Sequence, residues 1–274
     1  MKKFFAPLLF LPFLAYTTFI EERIFFTILI GSVILLGLFE FYNMAQKEDW
    51  WFLGLLAGIL LIGSASLGYK YPSFLSFLSN PFYGVIISSF ILVLLFFGIF
   101  ARKIVLAIAN NSILAIIFGI LYVGFLLSHL ILIRGLSGGS FYLLYLFSVV
   151  WSADGGGWII GKHFGRHRNI FPISPNKSIE GLMGAITGSV FISALLGGYI
   201  GFSLLMSFVF GFLFSLLGLL GDLAESSFKR NVGKKDSDSW ISEYGGILDV
   251  FDSIIVSAPI FYYLVLVGCF FKGA

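Results

Sequence analysis

Apolar residues run through this chain in long blocks separated by short polar connections. Crossing a hydrocarbon layer about 30 Å thick takes roughly 20 mostly apolar residues of helix. Blocks of suitable length lie near 4–20, 24–43, 51–68, 82–100, 112–133, 141–153 with a polar continuation, 180–200, 203–226 and 253–271. The pattern predicts an all-α, polytopic integral membrane protein of about nine transmembrane helices. Residues 101–111 read as an interfacial lead into the fifth span. The basic start and apolar run of 1–19 resemble a signal peptide, but no small-x-small cleavage site follows, so this block is expected to stay as the first span. The spans group as 1–135, about five helices, and 136–274, about four helices carrying the polar loops.

Composition agrees with lipid as the solvent. Of 274 residues, 59% are hydrophobic and only 11% charged, and the mean hydropathy is +1.01. A soluble domain with this content would expose apolar surface and aggregate. The net charge of +3 gives no argument for a nucleic-acid partner. The single cysteine, Cys269, excludes an intramolecular disulfide and a cysteine-cluster metal site.

Basic loops stay cytoplasmic. With the N-terminus cytoplasmic, 13 of the 17 Lys and Arg residues fall inside and 4 outside (Arg23, Lys70, Arg134 and Lys272). One span more or fewer among the early helices would break the alternation.

Nine of the 14 acidic residues follow position 150, most of them in the connections 154–179 and 227–252, which this topology puts on one face. Ionisable groups at span ends are costly unless paired, hydrated or bound to an ion. In the first connection, Asp154 follows an apolar run, and Gly155, Gly156 and Gly157 would let backbone approach a ligand. A dinucleotide fingerprint is excluded because a membrane span, not a strand, precedes the glycines. Ser174 reads as a helix N-cap with Pro175 at the first helical position, which puts Lys177 in the first turn. Two readings of this segment stand: a phosphate site at a helix N-terminus, or a basic loop resting on anionic headgroups.

Running into the second connection, Asp222, Glu225 and Lys229 fall at i, i+3 and i+7, on one helix face. Asp249 and Asp252, also i and i+3, start the last span. Oxygen ligands of this kind suit Mg²⁺, which also takes substrate phosphates. Carboxylates beside Lys229, Arg230, Lys234 and Lys235 make a phosphoryl-transfer constellation; the blander reading is salt bridges at a helix-hairpin end. Elsewhere, His129 and Arg134 read as capping or headgroup contacts, Glu40 as a hydrated residue closing the second span, and Asn110 and Asn111 as caps.

At these residues the chain resembles the CTP:phosphatidate cytidylyltransferases, or CDP-diacylglycerol synthases. Ser226, Phe228, Lys229, Arg230, Lys235, Asp236, Gly245, Gly246, Ile247, Asp249, Phe251 and Asp252 match the family's C-terminal signature at the same spacing. Upstream, the match runs from Asp154 and Gly156 through Gly161, Lys162, Phe164, Gly165, Arg166 and His167 to Ser174, Pro175, Lys177, Ser178, Glu180 and Gly181. The departures are Asp238 for a small residue, Ser242 for Pro or Gly, Tyr244 for His and Val250 for Arg.

The resemblance implies that CTP and phosphatidate react to CDP-diacylglycerol and pyrophosphate with Mg²⁺, and leaves room for a second cation. It implies Asp222, Asp249 and Asp252 as metal ligands, and Lys229, Arg230, Lys235 and Lys177 as phosphate holders. Asp236 would orient neighbouring cations, and Asp154, Ser174, Ser178, Glu180, Gly245 and Gly246 would contact substrate. It further implies a homodimer in the inner membrane with its site facing the cytoplasm. A CTP-dependent lipid or polyprenol kinase, or a cytidylyltransferase for another lipid phosphate, is the nearest alternative. A transporter is a weaker one, since the charges cluster at span ends on one side and no internal repeat is evident. Phosphatase fusions at Lys70 and Arg134 are expected to be active and fusions at Lys47 and Lys103 silent; the reverse pattern would overturn the orientation.

Overall fold

The computed structural model describes residues 12–45, 51–68, 81–100, 102–233 and 246–272. Among them the regular elements are all helical, with one isolated antiparallel bridge between Arg168 and Ser178. The helices are α1 (12–19), α2 (Arg23–Met44), α3 (Trp51–Gly68), α4 (Pro81–Phe100), α5 (Arg102–Asn110), α6 (Ser112–Gly135), α7 (Gly139–Phe164), α8 (Ile179–Gly197), α9 (Leu204–Asn231) and α10 (Ile247–Lys272).

Among the described residues, six helices are long and apolar enough to cross a membrane by length and composition: α2, α6, α7, α8 with its 3₁₀ extension to Ile200, α9 and α10. Trp51–Ser66 of α3 and Val85–Leu95 of α4 are shorter apolar helices. The short α5 covers most of the stretch 101–111 that leads into α6. Asn111 caps α6, accepting from the Ile113 and Leu114 amides at 3.0 and 3.2 Å. Within α6, Ile120–Phe125 forms a π turn.

Three boundaries differ from the hydrophobic blocks in ways that matter for the site. Helix α7 runs on past Asp154 to Phe164, α9 continues to Asn231, and α10 begins at Ile247. Asp154, Lys229, Arg230, Asp249 and Asp252 therefore lie on helix rather than on connections. The sequence placed the start of α8 at Ser174 and Pro175; its N-cap is Ser178, whose hydroxyl accepts the Gly181 amide at 3.1 Å. Residues 165–178 fold back on themselves instead. The Ser174 amide bonds to Phe171 O and the Lys177 amide to Ser174 O, and the Asn169 and Ile179 amides reach Pro175 O and His167 O. With these local turns satisfied, helix starts only where a hydroxyl meets a free amide.

Among the described residues, the α7–α8 pair is the most extensive helix contact. It depends on glycines facing each other, as small residues permit in lipid. A methyl at Gly156 would lie 2.5 Å from the Gly184 carbonyl oxygen, and one at Gly188 would lie 2.7 Å from that of Ser152. Gly156 thus serves helix packing rather than backbone approach to a ligand. Gly221 does the same for α9 and α10, since a methyl there would overlap the Asp252 carbonyl.

Two polar residues of α6 also differ from expectation. His129 is buried, with Nδ1 at 2.9 Å from Phe125 O and Nε2 at 2.9 Å from the Tyr263 hydroxyl. Arg134, also buried, donates to Ile20 O at 2.7 Å and so ties the end of α1 to the bundle. Gly156→Val should cost about 1–3 kcal/mol through overpacking. Gly63→Ala, where a methyl would meet nothing within 4 Å, should be neutral; thermal unfolding in detergent compares the two.

Candidate functional site

A cavity of about 830 Å³ opens where α7, the 165–178 segment, α9 and α10 meet. Asp154, Ser174, Lys177, Ser178, Asp222, Lys229, Arg230, Asp249 and Asp252 all line it. Nine residues chosen from sequence are thus gathered around one space. Lys235, Asp236 and Gly245 lie outside the described residues, as do Asp238, Ser242 and Tyr244 among the departures. The fourth departure, Val250, lines the cavity.

The backbone explains the gathering. Helical spacing puts Asp222, Glu225, Ser226 and Lys229 on one face of α9. The missing side chain at Gly221 lets α10 come close at Asp252. At the start of α10, the Asp249 carboxylate accepts the Gly246 amide at 3.0 Å and takes an ion pair from Lys229. The same ammonium stands 3.1 Å from Glu225. All three are buried. The shared cation lowers the cost of burying the two carboxylates, since a buried charge without a partner is far costlier than a paired one.

Nearer the opening, Lys177 pairs with Asp222, both side chains being part-exposed. Burial opposes the charge on Lys177, but Asp222, and beyond it Asp154 and Asp252, outweigh that and hold its pKa above the ordinary lysine value. The Ser253 hydroxyl lies 3.2 Å from both the Asp154 and the Asp252 carboxylate, and the Ser253 amide donates to Asp252 at 2.6 Å.

Two sequence-chosen residues sit to the side of the cavity. Glu180 accepts the Arg166 and His167 amides at 3.1 and 3.2 Å and stands 2.6 Å from His167 Nδ1, so it pins the segment that carries Lys177. Gly246 contributes its amide to Asp249. Sequence reasoning missed Ser253, whose only signal is its place beside Asp252. It also missed the role of Glu40, which is buried and accepts the Ile247 and Leu248 amides rather than standing in water.

Among the described residues no three His, Cys, Asp or Glu side chains form a ready-made metal cage. The donors that face the cavity are carboxylate oxygens, and Lys177 already sets a positive charge among three of them. That set fits Mg²⁺, which is commonly held by one or two carboxylates plus substrate phosphates rather than by protein alone.

Comparison with known proteins bears on the same residues. The model of the Cytidylyltransferase family matches residues 2–267. The chain belongs to this family. A phosphatidate cytidylyltransferase of Staphylococcus aureus (strain COL) is 39% identical over 132 residues, covering 47% of this chain and 51% of the relative. That of Staphylococcus haemolyticus is equally similar, at 39% over 132 residues, with the same coverage of 47% and 51%. The uncharacterized protein YnbB of Escherichia coli K12 is 31% identical over 166 residues, 58% of this chain and 56% of that protein. The chain thus spans about half the length of the curated relatives it matches.

Lys229→Met would leave the buried Glu225 and Asp249 without their shared cation. It is expected to cost about 3–5 kcal/mol, measured by denaturation in detergent; unchanged stability would show that the two carboxylates do not depend on this lysine.

Proposed function

We propose that this cytidylyltransferase-family chain transfers the cytidylyl group of CTP to phosphatidate, giving CDP-diacylglycerol and pyrophosphate. The observation that carries the reading is the cavity itself. It joins carboxylates from α7, α9 and α10 to cations from α9 and the 165–178 segment, within otherwise apolar helices. A nucleotide and a lipid headgroup can meet there.

A phosphate oxygen of phosphatidate attacks the α-phosphorus of CTP. The new P–O bond forms as the bond from that phosphorus to the bridging oxygen breaks, and pyrophosphate leaves with the electron pair. The attacking monoester is largely ionised at neutral pH because its second pKa is about 6, so no general base is required. What opposes reaction is negative charge crowding around one phosphorus. Lys177, Lys229, Arg230 and Lys235 would hold phosphate oxygens and offset that charge, with Asp236 orienting the cations. Asp222, Asp249 and Asp252 would share Mg²⁺ with those oxygens, and the ion would supply further charge neutralisation. Ser174 and Ser178 would offer hydroxyls to substrate, Asp154 lies beside the metal residues, and Gly245 would bring a backbone amide, while the Gly246 amide holds Asp249.

The reading includes a nine-span inner-membrane protein with its site facing the cytoplasm, working as a homodimer in phospholipid synthesis. The test is purified protein in detergent with labelled CTP, phosphatidate and Mg²⁺. Labelled lipid and pyrophosphate are expected. Release of CDP would point instead to a kinase, and absence of labelled lipid would reject the substrate pair. Asp222→Asn and Asp249→Asn should each reduce turnover about 100-fold or more, while leaving membrane insertion intact.

A further inference from the structure

The first amides of a helix need acceptors from outside it. At α10 the N-cap is Gly246, followed by Ile247, Leu248 and Asp249. Asp249, the third residue of the helix, reaches back to the Gly246 amide at 3.0 Å, which is half of a capping box. The other half is missing, because glycine has no side-chain oxygen to return. In its place Glu40, from α2, takes the first two amides of the helix. Its Oε1 accepts the Ile247 amide at 2.7 Å and its Oε2 the Leu248 amide at 2.9 Å, across more than 200 residues of sequence. The carboxylate is buried, and its charge suits the positive end of the helix dipole.

Its neighbours hold the same place. Gly37, one turn earlier, leaves room for Leu248, whose side chain would stand 3.2 Å from a methyl there. Phe41 stacks on Phe228 with ring centroids 4.6 Å apart, and Phe228 precedes Lys229. The end of α2 therefore grips the first turn of α10 and the last turns of α9, the two elements that present Asp249 and Lys229 to each other.

We propose that Glu40 is a positioning residue for the site. It completes the cap of α10 and thereby sets the direction of the Asp249 carboxylate, which makes the N-terminal half part of the reacting apparatus. The inference rests on the reading of the cavity as a metal- and phosphate-handling site.

Wild type, Glu40→Ala and Glu40→Gln are compared in detergent for melting temperature, kcat, KM for CTP, and Mn²⁺ affinity by electron paramagnetic resonance without nucleotide. Glu40→Ala should lower kcat and weaken Mn²⁺ binding by about 10- to 100-fold each, with KM for CTP unchanged. Glu40→Gln, which keeps one acceptor oxygen, should fall between. A lower melting temperature with wild-type kcat and Mn²⁺ affinity in the folded protein would reduce Glu40 to a structural role and overturn the proposal. If Glu40→Ala does not fold, Glu40→Gln decides by the same criteria. Failure of wild type to make labelled lipid would sink the substrate reading alone, because the Mn²⁺ titration still reports on Glu40. Wild type that binds no Mn²⁺ would remove the proposal.

Discussion

Charge inside an apolar helix bundle must be matched where it stands, because neither water nor lipid will solvate it there. The interior end of the cavity is organised by that constraint. Lys229 is wedged between Glu225 and Asp249, and Glu40 is spent on two backbone amides. Only toward the opening do the groups become part-exposed, with Lys177 against Asp222. Lys229 and Asp249 reach the cavity buried and paired with each other, whereas Lys177 and Asp222 meet the same space part-exposed.

Matching of this kind needs helices that approach closely and at fixed places. In a bilayer, burial of apolar surface does little to press helices together, so side-chain size at the crossing decides the approach. The glycines of α7 and α8 set one such crossing and Gly221 sets another. The second falls one residue before Asp222, so the feature that permits contact between α9 and α10 also brings Asp222 beside Asp252.

Much of this was legible in the chain. Helical spacing put Asp222, Glu225 and Lys229 on a common face, and the structure gathers Asp154, Lys177, Asp222, Asp249 and Asp252 around one cavity. Hydrophobic blocks fixed where helices run but not where they stop, since a polar residue can continue a helix once its side chain has a partner. This is why α7 passes Asp154 and α9 passes Lys229. The cap of α8 was misplaced because Ser174 with Pro175 and Ser178 are both sound starts, and only the fold-back of 165–178 decides between them. Glu40 was illegible because its partners are backbone amides, which carry no sequence signature, more than 200 positions away.

The π turn at Ile120–Phe125 adds a residue to one turn of α6 and so shifts the register of everything after it. Each residue advances an α-helix by about 100°, so the faces before and after the turn are offset by that angle. His129 meets Tyr263, and Arg134 meets Ile20, only with the offset in place. A one-residue deletion inside the turn would keep α6 apolar and long enough to span, yet would swing both side chains toward different neighbours. In this segment, length matters as much as composition.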